Sequence, residues 1–160
     1  MKMQEMRRKD RQLDLCETWE VLERGEYAVL STVNDQGQPY GVPMSYAIDG
    51  GVIYLHCAGE GQKLDNLRIN PQASLTVVVD TEPVYDKGFS TYYASAVLCG
   101  RVVEVTGIDE KSQALYALAK KYLPEHLDKA NENIDKLLTR TVVLRMDQEL
   151  ITGKAKKKIK

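Results

Sequence analysis

The sequence is poor in the residues that mark most metal and redox proteins: two histidines, three cysteines, one tryptophan and one phenylalanine in 160 residues. His56 and His126 are too few for a multi-histidine metal cluster, so no metal site is expected. Cys16, Cys57 and Cys99 are widely spaced and odd in number. They signal neither a disulfide framework nor a zinc site, and a reducing, cytoplasmic compartment fits them best. No apolar run approaches the roughly 20 residues that cross a bilayer, and the N-terminus has charges where a signal peptide needs an apolar core. A soluble protein without membrane association is expected. Charge of one sign is lacking too: 22 Lys and Arg face 23 Asp and Glu, so nothing global draws the chain to nucleic acid.

Familiar catalytic patterns are also missing. There is no Walker or Rossmann glycine pattern, no nucleophile elbow, no Ser/His/Asp spacing and no convincing pair of carboxylates. Covalent and acid-base catalysis are therefore not signalled, and any chemistry falls to a bound cofactor that the protein positions.

The length suits a single domain over residues 1–160. Basic residues gather at both ends, Lys2 to Arg11 and Lys154 to Lys160, and read as solvated tails, the second a basic tail from about residue 154. Between Asp10 and Arg24 an apolar stripe predicts a helix that stops at Gly25. Tyr27–Val33 and Tyr40–Ile48 flank the turn residues Asn34 to Gly37 and predict a hairpin. Pro43 cannot donate to a ladder, so its strand lies at an edge or bulges, leaving main-chain groups free to meet a ligand.

After the turn Asp49-Gly50-Gly51, the segment Val52–Cys57 predicts a third strand, with Tyr54 and His56 on one face and Leu55 and Cys57 on the other. A short helix around Leu64 and Leu67 is closed by Pro71. Ala73–Val79 predicts a buried strand, Asp80–Ser90 a long loop, and Thr91–Thr106 another strand, with Gly100 marking a bulge or a close backbone approach. Asp109–Leu123 and Glu125–Leu138 read as a helical pair, the second polar, and Thr141–Met146 as a closing strand. The order predicts an α+β fold with an antiparallel sheet curled into a barrel.

Gly59, Gly61 and Lys63 follow the third strand. Glycines let backbone N–H groups turn toward an anion, the lysine adds a charge, and a helix start adds its positive dipole end, which together suit a phosphate. The same spacing also describes a plain glycine-rich turn with an exposed lysine. His56 has two readings as well: a structural strand histidine, or an axial haem ligand.

Several segments in order resemble the flavin-binding split-barrel superfamily of pyridoxamine 5'-phosphate oxidase, nearest its nitroimidazole-resistance branch. They are MRRKDRQ (6–12), GEYAVLSTVNDQGQPYGVPMSY (25–46), IYLHCAGEGQKLDNLRINP (53–71), STYYASAVLCGRV (90–102) and ITGKA (151–155). The resemblance implies a six-stranded antiparallel split β-barrel flanked by helices, a homodimer, and FMN in a groove at the dimer interface. It places Val42, Pro43, Met44 and Ser45 along the flavin, largely through backbone, and His56, Cys57 and Ala58 on the ring and ribityl side. Gly61, Gln62 and Lys63 would hold the phosphate, with Tyr93 and Ser95 as candidates to reach the pocket, from the same or from the partner subunit.

The function implied is an FMN-binding oxidoreductase, flavin reductase or nitroreductase-like, that moves electrons from NAD(P)H or another donor to a small acceptor, with no protein nucleophile. Two alternatives remain open at this level: a haem-binding or haem-degrading split barrel using His56 or His126, and a flavin-binding module without turnover. The turn reads GQK where the vitamin B6 oxidase usually has an Arg-Lys pair, which implies weaker phosphate binding. The oxidase's substrate-binding segment has no counterpart after Met146.

Overall fold

Asp14 fixes where regular structure begins. Its Oδ1 accepts from the Glu17 N–H at 2.8 Å while its own N–H donates to Glu17 Oε2 at 3.2 Å, so two orphan donors of a helix start are satisfied. The computed structural model describes residues 5–85 and 88–157, excluding the side chains of residues 131 and 132. In it the first helix, α1, spans Leu15–Arg24 and ends at Gly25. The sequence placed its start near Asp10, but that residue lies in a 3-10 turn, and Gln12–Leu13 form a short strand, β1.

The strands that follow are β2 (Ala28–Val33), β3 (Pro39–Met44), β4 (Tyr46–Asp49), β5 (Val52–Ala58), β6 (Gln72–Tyr85), β7 (Phe89–Glu104) and β8 (Thr141–Lys156). They pair antiparallel in the order β3-β2-β6-β7-β8-β5-β4, with β1 beside β8. This is the α+β split barrel expected, with eight strands in place of six. The excess has two sources: β1 is a two-residue addition, and the run expected from Tyr40 to Ile48 breaks at Ser45 into β3 and β4.

Two other expectations are corrected. Asp80–Ser90 is a β-ribbon extending β6 and β7 across a register shift between Val79 and Glu82, not a loop. The C-terminal lysines do not begin a free tail at 154, because β8 runs through Lys154 and Lys156 and pairs them with Ser95 and Tyr93. The two ends of the chain therefore meet: Gln12 pairs with Lys154, and the exposed Lys157 ammonium lies 2.6 Å from Glu17. Lys2 and Lys158 to Lys160 fall outside the described residues.

Alternation along the strands divides the apolar residues into two cores. Leu30, Ile53, Leu55, Leu75, Leu98 and Leu144 fill the barrel, closed at its ends by Leu22 of α1 and by Leu64 and Leu67 of the helix α2 (Gln62–Ile69). A second cluster lies outside β4, β5 and β8, where Ala47, Tyr54 and Val143 pack against Leu115 and Leu118 of α3 (Ile108–Tyr122) and Ile134 of α4 (Ala130–Leu137). Gly100 sits where β7 shifts register, and a Cβ there would overlap the Asp147 carbonyl oxygen, so the close approach read from the sequence is present. No helix among the described residues is long and apolar enough to cross a membrane.

Candidate functional site

Ser45 is the pivot of the site. On one side of it β3 pairs with β2 alone, from Val33↔Pro39 to Ala28↔Met44. On the other side β4 pairs with β5 alone, from Tyr46↔Leu55 to Asp49↔Val52. Continuing that last register would put Ser45 opposite His56 and Met44 opposite Cys57, but the chain turns away to β2 instead. The free edge of β3 and the free edge of His56, Cys57 and Ala58, which pair only with β8, diverge from Ser45 as the two sides of a V. Pro43 lies on the first side with no donor to offer, as an edge strand allows.

The mouth of the V is held by α2. Gly61 precedes it with φ 129°, a conformation side chains rarely adopt, and the first N–H groups of the helix point outward without intrahelical partners. The Lys63 ammonium folds back to 3.9 Å from where a Gly61 Cβ would stand. Among the described residues it has no ion-pair partner within 4.0 Å. A cation and a positive helix end thus stand together just after β5, a donor set that suits an anionic phosphate.

Ten of the twelve residues expected at the site lie on three successive segments, Val42 to Ser45 at the end of β3, His56 to Ala58 at the end of β5 and Gly61 to Lys63 at the start of α2, on alternating faces. Pro43, His56, Ala58, Gly61 and Gln62 are exposed, and Ser45 and Lys63 are half-buried. Val42, Met44 and Cys57 turn into the barrel core and offer the groove only their backbone. Tyr93 and Ser95 are elsewhere: they lie on β7, separated from β3 by β2 and β6, and Ser95 Oγ donates to the Lys154 carbonyl at 3.3 Å. Within one protomer they do not reach the groove.

His56 points with Tyr54, as the alternation predicted, and so away from the core side where Cys57 packs. Its side chain lines an apolar cavity of about 440 Å³ beneath α3 and α4, with Leu115, Leu118, Tyr122, Ile134 and, unexpectedly, His126. His126 was assigned to a polar helix. It stands instead at a kink of the 3-10 segment Pro124–Lys129, with φ −120° and ψ 21°, facing apolar side chains. His56 keeps part of its surface in solvent, yet the surrounding wall desolvates the ring and lowers its pKa. Burial likewise raises the Cys57 thiol, opposed by the nearby Lys63 charge.

Two anchors of the groove gave no local sequence signal. The Tyr122 hydroxyl accepts from the Tyr46 N–H at 3.0 Å and donates to the Glu26 carbonyl at 2.7 Å, supplying the bonds lost where β3 and β4 part. Buried Asn66 donates from Nδ2 to Thr32 Oγ1 at 2.9 Å, and Thr32 donates to the Tyr40 carbonyl at 3.3 Å, so α2 is tied to both strands of the first hairpin. The one hint was a polar residue between Leu64 and Leu67 on the inward side of a short helix. Among the described residues no group of three or more His, Cys, Asp or Glu side chains converges.

Comparison with known proteins gives this geometry a context. The family model of pyridoxamine 5'-phosphate oxidase matches residues 14–155. No curated protein matches the sequence. Among solved structures, a candidate 5-nitroimidazole antibiotic resistance protein from Bacteroides thetaiotaomicron superposes with a TM-score of 0.77 at 22% identity, over 90% of this chain and 86% of that one. An FAD and heme binding protein from Mycobacterium smegmatis gives 0.81 at 21% identity, over 92% and 74%. At such identities these two establish the fold alone. An FAD-binding protein from Mesorhizobium loti is 28% identical over 92% of this chain and 98% of its own, with a TM-score of 0.67.

Proposed function

The chain belongs to the pyridoxamine 5'-phosphate oxidase family, and from that premise we propose that its V-shaped groove holds FMN. The protein is then an FMN-dependent oxidoreductase of the flavin reductase or nitroreductase kind, active as a homodimer. The observation that carries this reading is the Lys63 ammonium folded over Gly61 at the start of α2, without a carboxylate partner among the described residues, beside two unpaired strand edges.

Lys63 and the first amides of α2 offset the phosphate charge, as a charged group at a helix start does most effectively. Backbone N–H groups of Val42, Met44 and Ser45 would face the polar edge of the ring system, and Pro43 would lend an apolar surface beside it. Gln62 adds an amide at the mouth. A flavin held there would supply two-electron redox chemistry between NAD(P)H and a small acceptor such as a nitroaromatic. No side chain in the groove is asked to act as a nucleophile.

Titration of purified protein with FMN and, separately, FAD, followed by anaerobic mixing with NADH and NADPH, tests the reading. A saturable flavin spectrum with FMN preferred and bleaching by one nicotinamide is expected. Tighter binding of FAD rejects FMN as the cofactor. Binding without bleaching by either nicotinamide makes the protein a flavin-binding module without turnover.

A second reading has an observation of its own. Both histidines of the chain line one apolar cavity beside the groove, and the relative from M. smegmatis binds haem as well as FAD. A haem-binding or haem-degrading role would use His56 or His126 as axial ligand. Added haem would then give a Soret band that shifts on substitution of the ligating histidine, and no such band in the wild type rejects it.

A further inference from the structure

Beside the stripe that α3 buries on the sheet runs another that faces a cavity of its own. Gln113, Tyr116, Ala117, Lys120 and Lys121 recur at helical spacing and, with Glu23 near the end of α1 and Ala47 to Asp49 of β4, line a space of about 410 Å³. None of these residues belongs to the groove or to the cavity of the two histidines.

Lys121 is the anomaly in this wall. Its side chain lines the cavity, but its Nζ is turned inward and buried without a hydrogen-bond partner, 3.5 Å from the centroid of the Tyr46 ring and 5.5 Å from that of Tyr122. The Tyr46 hydroxyl donates to the Leu22 carbonyl, so to the ammonium this ring offers only its face. A ring face recovers part of the lost hydration, yet an ammonium has three donors, and buried donors in folded proteins are nearly always paired. The carboxylates of the same wall do not pair with it. Asp49 accepts from Gln113 Nε2 at 2.6 Å, and among the described residues neither carboxylate, Glu23 or Asp49, has a cation within 4.0 Å. Lys120, exposed at the rim, has no ion-pair partner there either.

The charges of the wall are thus balanced but unpaired, and they are sorted by element: both ammonium groups come from α3, both carboxylates from α1 and β4. Between them lie Ala47, Ile48, Ala117 and the Tyr116 ring. A simple anion would gain from the lysines and lose to the carboxylates, and a simple cation the reverse. A molecule that carries one charge of each sign on neighbouring atoms, with an apolar group beside them, meets all three parts of the wall.

We propose that this cavity binds a free α-amino acid with an apolar side chain: the carboxylate draws the Lys121 ammonium off the Tyr46 ring and lies between it and Lys120, the α-ammonium faces Glu23 and Asp49, and the side chain rests on Ile48 and Tyr116. The flexible four-carbon stem of Lys121 lets its Nζ turn from ring to cavity. The site does not depend on the FMN reading.

Isothermal titration of the full chain at pH 7 with L-phenylalanine tests it, beside phenylpropanoate and phenylethylamine, which keep the ring and each lack one of the two charges. Saturable binding of L-phenylalanine is expected, about tenfold or more tighter than that of either analogue. Lys121→Met should weaken it by a similar factor while keeping cooperative unfolding. Glu23→Gln, a change on an exposed side chain, should weaken L-phenylalanine severalfold and leave phenylpropanoate no weaker. In carbon-13 lysine spectra the ε-carbon of Lys121, identified by its loss in Lys121→Met, should shift as the amine leaves the Tyr46 ring. No saturable binding of L-phenylalanine, L-leucine or L-methionine, phenylpropanoate binding as tightly as L-phenylalanine, undiminished affinity in either variant, or an unmoved Lys121 resonance at saturation overturns the site.

Discussion

Lys63 and Lys121 are two cations that lack a carboxylate partner among the described residues, and their settings make them opposites. Lys63 stands at the start of α2 beside exposed amides, where an incoming anion would gain from it. Lys63→Ala is expected to weaken FMN binding by about 1–3 kcal/mol, the range for one charge-assisted hydrogen bond. Fluorescence titration measures it, with Lys157→Ala as a control that leaves affinity unchanged. Lys121 is sealed: its Nζ is buried without a hydrogen-bond partner, 3.5 Å from the centroid of the Tyr46 ring, and burial lowers its pKa to about 8. In the unfolded chain the same amine titrates near 10.5. The unfolded state therefore holds more protons between these values, so the penalty is full below pH 8 and is relieved as pH rises through that window. Lys121→Met is expected to raise stability by about 1 kcal/mol at pH 7, the ring contact offsetting part of the burial cost. Urea melts of both proteins check it: their difference should shrink from pH 8 to pH 10, a comparison in which the shifts of Tyr46 and the cysteines cancel.

At the scale of elements, α2 shows how a weakly amphipathic segment becomes a fixed platform. Its eight residues are too few to be helical alone, so Leu64, Leu67 and the Asn66–Thr32 bond hold it in place. Asn66→Ala removes the donor to buried Thr32 Oγ1, which keeps only its own bond to the Tyr40 carbonyl, and is expected to cost about 1–3 kcal/mol of stability, measurable by denaturant unfolding, together with a loss of flavin affinity from the displaced Lys63. The helix itself was legible, because Pro71 and the leucine spacing are local. So were the edge position of Pro43 and the opposed faces of His56 and Cys57, which follow from a period of two. The break at Ser45 was not legible, since nothing nearby interrupts the apolar run. Just after it the Tyr46 N–H donates to the Tyr122 hydroxyl, 76 positions further along the chain, a partner no local pattern reveals. The ribbon at Asp80–Tyr85 was missed for a related reason: charges and Pro83 are turn signals locally, but pairing with Phe89–Tyr92 overrides them. His126 went the same way, a polar residue turned onto an apolar cavity by a kink after Pro124.

For the whole molecule, β8 decides whether there is a barrel at all. Local pattern ends it near Met146, because Asp147, Gln148 and Glu149 are polar and exposed. The strand nevertheless continues to Lys156, joining β5 over Ile53↔Met146 to Ala58↔Thr141, β7 along most of its length, and β1 at Gln12 and Leu13. Its second half also buries Gly153 against Thr18 and Leu13, so α1 docks on residues the sequence left to a solvated tail. Two readings of the C-terminus therefore make different predictions for one truncation. A tail beginning at 154, after a strand closed by Met146, would tolerate a chain ended at Leu150. A closing strand would not, because Tyr93 to Leu98 would lose their β8 partners and β1 and α1 their seat, exposing an unpaired edge in the middle of the sheet. We expect the chain ended at Leu150 to lose cooperative thermal unfolding and to aggregate. Lys157→Ala, which removes only an exposed ion pair with Glu17, should cost about 1 kcal/mol or less in the same scan. A truncated protein that melts like the wild type would mean that the sheet closes without its last strand, and that the groove is held by the first half of the molecule alone.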